Sequence, residues 1–361
     1  MKQNLFEILG IASIERIHSQ MMCWLFSDSP LTPIEKSQLL QIINPKAKIY
    51  STFQCLSEYK NIDIIIRADS DVYVIENKIK SSEHDNQLSK YLATIQSDSS
   101  SFFQNTNRYF AYLTLVQEKT KAVNESWVNI TYQQIFSNLK NYKRKKPSSF
   151  DEFVLNEYIH TVERLVVCVE DFISNHSQYA NVFEDGWKTK AQKLENLERC
   201  SDKQKYIAQN QLETILQRSF LGVIADSMVL DKDKPEIDET HGTALLQIMY
   251  SFHELTKLNK YNIGIQYQGD SIKLNIASKN YKNSTIKDIS KRLTECVQII
   301  ARQNKYRINK GKTREYISIS KQLDKEIWEM NLDEIIAVYQ REYEHFKKLA
   351  KEIIRNGIFP K

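Results

Sequence analysis

Glycine and proline are scarce, eight and six in 361 residues, which excludes collagen-like and linker-dominated architectures. Apolar runs such as 64–66 and 72–75 are short, far below the roughly 18–20 residues of a membrane-spanning helix. Cysteine is limited to Cys23, Cys55, Cys168, Cys200 and Cys296, odd in number and scattered, without a CxxC pair or a histidine at zinc-ligand spacing. Reduced, mostly buried thiols are therefore expected. The first residues lack the apolar core and small-residue cleavage site of a signal peptide. What remains is 41% hydrophobic content, ordinary for a folded chain, at a length that suggests two domains. A cytoplasmic protein with no membrane partner is expected.

The net charge of +5 is unevenly placed: residues 1–180 hold 19 Lys+Arg against 20 Asp+Glu, and residues 181–361 hold 31 against 25. Helical spacing of Leu5, Ile8, Ile11, Ile14, Ile17, Met21, Trp24 and Leu25 predicts one or two helices over the first 27 residues. A shorter helix follows around 34–43. Strand patterns at 49–56, 61–67 and 72–79 come next, the last two joined by Ala68-Asp69-Ser70-Asp71 as a hairpin. Then come a helix (83–96), strands (108–117 and 127–130) and helices (132–139 and 150–174). Beyond a transition at 175–190, a polar helix is expected over 191–220. Strands follow at 244–252, 261–268 and 271–277, then a basic helix at 284–303, a strand at 315–320 and a final amphipathic helix from Trp328 to Ile353.

The 61–79 hairpin carries the chemistry. With its loop centred between Asp69 and Ser70, Asp63 and Glu76 become cross-strand neighbours, their Cβ atoms about 4.5–5.5 Å apart. Lys78 projects from the same face. Two carboxylates side by side in an apolar hairpin repel each other, and a hard divalent cation removes the conflict. Mg²⁺ typically takes one or two carboxylates, waters and substrate phosphate oxygens. An adjacent ammonium can orient a metal-bound water, which together is equipment for phosphodiester hydrolysis. An E-x-K triplet alone is weak in a chain that is 26% charged, and Glu58-Tyr59-Lys60 is a second one. Glu76-Asn77-Lys78 stands out because it ends an apolar strand opposite Asp63; its bland alternative is a surface Glu–Lys ion pair.

Residues 1–140 resemble the PD-(D/E)XK nuclease superfamily, whose αβββαβ core matches the element order above. Asp63, Glu76 and Lys78 match its Asp…(Asp/Glu)-x-Lys motif, with Ile62 in place of the proline. Gln87-Leu88-Ser89-Lys90-Tyr91 is similar to the QxxxY motif of RecB-like members, and Glu15-Arg16-Ile17-His18-Ser19 resembles the E-x-x-H-S signature of a poorly characterised bacterial branch. The resemblance implies an α/β fold, a mixed central sheet flanked by helices, followed by a C-terminal α+β accessory domain. The expected domains are 1–175 and 190–361. It further implies that Asp63 and Glu76 ligate Mg²⁺ (Mn²⁺ substituting), that the Asn77 carbonyl adds a ligand, and that Lys78 positions the attacking water. Glu15 would bind metal through water or a second metal, and Gln87 and Tyr91 would orient the lysine or touch the phosphate backbone. Tyr91 as core packing, Gln87 as an exposed side chain and His18 as a satisfied core histidine are the plainer alternatives. Ser19 lacks the context of a serine nucleophile.

Between Lys279 and Arg314 there are 11 Lys+Arg against Asp288 and Glu295 alone, with Tyr281 and Tyr306 interleaved. On a nuclease this points to nucleic-acid contact through Lys291, Arg292, Lys305, Arg307, Lys310, Lys312 and Arg314. The expected function is a divalent-metal-dependent nuclease, DNA favoured over RNA, acting in phage defence, restriction or repair. The alternatives are a catalytically silent nucleic-acid-binding module, or an interaction scaffold that dimerises through its last helix.

Overall fold

The computed structural model describes residues 3–81, 86–117, 126–183, 200–240, 243–252, 261–278, 289–310 and 316–358. Expectations that fall on Glu83, Lys279, Tyr281, Lys282, Lys287, Asp288, Lys312 and Arg314, and on 184–199, lie outside them.

The described chain divides into two units, Met1–Ser174 with Asn196–Leu216, and Asn175–Glu195 with Gln217–Lys361. The first opens with helices α1 (Leu5–Ile8), α2 (Glu15–Phe26) and α3 (Pro33–Leu40), then strands β1 (Phe53–Tyr59), β2 (Ile62–Ala68) and β3 (Asp71–Lys78). Helix α4 (Gln87–Gln96), strands β4 (Asn107–Thr114) and β5 (Trp127–Thr131), and helices α5 (Tyr132–Leu139) and α6 (Phe150–Ser174) follow. The sheet runs β1-β2-β3-β4-β5, antiparallel through β3 and parallel beyond it. This is a mixed sheet with helices, the architecture of a PD-(D/E)XK core. Strands β2 and β3 are buried at most positions because both faces are covered. Ile65, Val72, Val74, Leu88, Ile95 and Tyr112 form one core beneath α4.

Two expectations are corrected in this unit. Cys23 on α2 and Cys55 on β1 form a disulfide, their Cα atoms 5.4 Å apart, because the helix packs on that strand. Of the expected thiols, Cys168, Cys200 and Cys296 remain free. The segment Asn196–Leu216, placed by sequence in the second domain, belongs to the first unit. Helix α7 (Asp202–Asn210) is held there by the Asn210 carbonyl accepting from Ser13 Oγ at 2.8 Å, by a Lys203–Asp171 ion pair at 2.8 Å, and by Arg164 over the Tyr206 ring.

Helix α8 (Glu213–Ser227) crosses the unit boundary. The second unit has strands β6 (Lys234–Thr240), β7 (Thr243–Met249), β8 (Tyr261–Gln268), β9 (Ser271–Ser278), β10 (Arg307–Lys310) and β11 (Tyr316–Gln322), with helices α9 (Lys291–Gln303) and α10 (Leu332–Ile353). Its antiparallel sheet is ordered β10-β11-β9-β8-β7-β6. Strands β6 and β10 were not anticipated, one being largely charged and the other only four residues long. The aromatic stripe of α10 is consumed inside this unit: Tyr339 stacks on Tyr267, and Tyr343, Phe346 and Ile353 are buried. That stripe is therefore core of this unit. Trp328 lies in a separate 3₁₀ turn before that helix.

Gly264 marks the tightest approach in this sheet. A Cβ there would meet the Ile248 carbonyl oxygen at 2.6 Å and the Met249 sulfur at 2.7 Å. Gly264→Ala is expected to lower stability by about 1–3 kcal/mol in urea unfolding followed by circular dichroism. A variant as stable as the wild type would contradict the close approach.

Candidate active site

The β2–β3 register pairs Ile64 with Ile75 and Ala68 with Asp71, leaving Asp69 and Ser70 as the turn. Extending that ladder by one step sets Asp63 against Glu76. The Asn77 N–H donates to Asp63 Oδ2 at 2.8 Å, which ties the strands together at this point. Lys78 Nζ lies 2.5 Å from Glu76 Oε1. The other triplet is elsewhere: Lys60 pairs with Asp98 at 2.8 Å.

Glu76 is 1% exposed; the Lys78 ammonium is the partner of Oε1, and Oε2 has no hydrogen-bond donor among the described residues. Burial, and then the Asp63 carboxylate, push it up to about 8, with Lys78 opposing the shift. Burial likewise raises Asp63, against the pull of the Asn77 N–H and Lys78. For Lys78, burial alone would lower the ammonium, but the carboxylates of Glu76, Asp63 and Glu15 outweigh it and hold it above its ordinary value. The result is a buried carboxylate pair, a set of hard oxygen donors, with one ammonium. That donor set fits a divalent cation, which would supply the charge Glu76 lacks. No cluster of three or more His, Cys, Asp or Glu suited to a metal occurs among the described residues, so the remaining ligands would be backbone, water or substrate oxygens.

Helix α4 packs on the face that carries these groups. Gln87 Nε2 donates to Tyr91 Oη at 2.6 Å, and Tyr91 Oη donates to the Asn61 carbonyl at 2.6 Å. Tyr91 also packs on the core beneath the helix, so it is both packing aromatic and neighbour of the carboxylates.

Glu15 approaches from α2. Its Oε1 accepts from the backbone N–H groups of Ile79, Lys80 and Ser81, each at 3.0 Å, and from Ser81 Oγ at 2.9 Å. Burial would raise its carboxyl, yet these donors together hold it below the ordinary carboxylate range. The carboxylate expected to reach a metal is thus occupied by the chain just after Lys78. His18 is a buried core histidine: Nε2 lies 2.9 Å from the Ala12 carbonyl, Nδ1 lies 3.3 Å from Tyr158 Oη, and the ring meets Tyr132 edge-on.

Residues 3–160 match the family model of the PD-(D/E)XK nuclease superfamily. This part of the chain is similar to that superfamily. Its members are nucleases acting on phosphodiester bonds, generally with divalent metals. No curated protein and no solved structure matches the chain. The matched segment contains Glu15, Asp63, Glu76, Lys78, Gln87 and Tyr91, and excludes the second unit.

The described basic residues of the second unit sit in several settings. Lys291 and Lys310 line a cavity of about 320 Å³ with Glu295, Gln298 and Tyr316. Arg292 donates to the Asn356 carbonyl. Arg307, paired with Ser320, projects from the opposite sheet face to Lys310. Lys305 follows α9 at positive φ. Tyr306 stacks on Phe346 rather than standing free for a base.

The sequence set Ser19 aside as a nucleophile and gave no role to Tyr132 or to the side chain of Asn77. The available signal was Asn77 itself, a carboxamide in an apolar strand on the face opposite Glu76, where a buried polar group requires partners.

Burial pushes His18 down to about 4 from its ordinary 6.5, against the pull of the Ala12 carbonyl and Glu15. Since protonation then favours the unfolded chain, the neutral ring's contribution is complete above pH 6.5 and is lost as pH falls toward 4. Between pH 7 and pH 5 this amounts to about 2 kcal/mol. In chemical unfolding, His18→Gln should lose less stability between these pH values than the wild type. An equal loss would refute a neutral, buried ring.

Proposed function

We propose that this chain is a Mg²⁺-dependent nuclease that hydrolyses phosphodiester bonds of DNA, with Mn²⁺ able to substitute. The observation that carries the reading is Glu76: a buried carboxylate set against a second carboxylate, Asp63, with the single ammonium of Lys78 as its charge partner. A surface ion pair would need neither the burial nor the second carboxylate. Asp63 and Glu76 would hold the cation, with the Asn77 carbonyl as a further ligand. Bound there, the ion supplies Lewis acidity toward a phosphate oxygen and lowers the pKa of a water.

The protein's own groups do the rest. Lys78 keeps its proton under the influence of the surrounding carboxylates, so its ammonium orients the attacking water and offsets charge developing on the phosphate. Asp63 is fixed through Oδ2 by the Asn77 N–H, and its carboxylate would help hold the cation. Tyr91 and Gln87 border the same face, where they can touch the phosphate backbone. In the second unit, Lys291, Arg292, Lys305, Arg307, Lys310, Lys312 and Arg314 would contribute sequence-independent attraction for phosphates, weakening with salt.

Asp63→Ala, Glu76→Gln and Lys78→Ala should each reduce Mg²⁺-dependent cleavage of linear or circular DNA by about 100-fold or more. EDTA should abolish wild-type cleavage, and added Mg²⁺ restore it. Parallel assays on single-stranded DNA and RNA test the substrate class. Undiminished cleavage by all three variants would sink the assignment.

A further inference from the structure

Asn77 is the middle residue of the Glu-x-Lys triplet, and its side chain faces away from the carboxylates. It is fully buried, and every one of its side-chain polar atoms is engaged. Nδ2 donates to the Glu15 carbonyl and to Ser19 Oγ, both at 3.1 Å. Oδ1 accepts from Tyr132 Oη at 2.8 Å, and the Asn77 N–H holds Asp63. Tyr132 is itself buried and meets the edge of His18. One turn along the same helix, the Glu15 carboxylate binds three successive N–H groups just beyond Lys78.

We propose that Asn77 is a positioning residue, gripped by helix α2 and Tyr132, that sets where Glu76 and Lys78 stand on the opposite face. The Glu15–Ser19 stretch then acts by holding β3 from behind. This rests on the nuclease reading for what the strand presents, and on the hydrogen-bond geometry for how it is held. A β-strand alternates its side chains, so a clamp on residue 77 restrains its two neighbours without occupying their space. A buried carboxamide with all its bonds made is costly to displace, because any shift strands a donor or acceptor away from water. Glu15 acts on the same strand by a second route: its carboxylate fixes the amides of 79–81, so the strand is held on both sides of Lys78.

Ser19→Ala removes one acceptor and Tyr132→Phe removes the one side-chain donor to Oδ1, each with little change of volume. Asn77→Ala removes the hub. Each variant is compared with the wild-type chain by thermal unfolding, by hydrogen–deuterium exchange of peptides spanning 74–81, and by Mn²⁺ binding read by electron paramagnetic resonance. Folded variants are expected to exchange faster over 77–81 while peptides from β4 are unchanged. Their Mn²⁺ dissociation constant should rise about 10-fold, the usual cost of losing a group that orients a metal ligand. A purely structural role would lower the melting temperature and leave that constant unchanged. Unaltered exchange over 77–81 in Ser19→Ala and Tyr132→Phe would overturn the proposal, as would wild-type Mn²⁺ affinity in variants with faster exchange. If the wild type binds no Mn²⁺, the nuclease reading fails by itself and the exchange comparison alone decides whether Asn77 is the clamp. If Asn77→Ala does not fold, the two milder variants carry the test.

Discussion

The confrontation of Asp63 and Glu76 across one hairpin is the constraint that orders the first unit. Like charges on adjacent buried strands disfavour each other, and burial adds to the cost. Here both effects raise the same group, Glu76. A chain could relieve this by exposing the pair or by giving each oxygen a donor. This chain does neither for Glu76, and it places a single ammonium beside it. Two carboxylates thus face a single ammonium, a donor set that suits a divalent cation.

That imbalance of charge confines the rest of the sheet. The face with Asp63, Glu76 and Lys78 is backed by an apolar core under α4, which excludes water from all but the strand ends. The other face is where polar bonds are complete: Asn77, Ser19, Tyr132 and the Glu15 carboxylate satisfy one another or the backbone. Unsatisfied charge on one side of β3 and full satisfaction on the other give the strand a reactive surface and a rigid back. His18 fits the second role, since a ring held neutral by burial can pack and accept without adding charge near the carboxylates.

How much of this was legible in the sequence depended on the range of the interaction. The Asp63–Glu76–Lys78 constellation follows from a turn at Asp69-Ser70 and a period of two, all within sixteen residues, and the observed register agrees. Helices α5 and α6 likewise match their sequence periodicity. The disulfide between Cys23 and Cys55, the return of Asn196–Leu216 to the first unit, and the grip of Tyr132 on Asn77 were not legible. Each joins segments through tertiary packing, where no local pattern says which partners meet. The basic residues of the second unit are dense in sequence, and of the described ones alternation along β10 sends Arg307 and Lys310 to different faces.

By itself, then, the sequence determined the element order of the first unit's sheet, the hairpin register and the identity of the charged triplet, because these rest on short-range periodicity and turn chemistry. Only the tertiary structure decided that Glu76 is buried with Lys78 as its charge partner, that Glu15 is spent on backbone amides, and that the Asn77 side chain is bonded to Ser19, Tyr132 and the Glu15 carbonyl. The reason is physical: burial and hydrogen-bond satisfaction are properties of what surrounds a residue, and the surroundings of β3 come from helices α2, α4 and α5, elements distant from it along the chain.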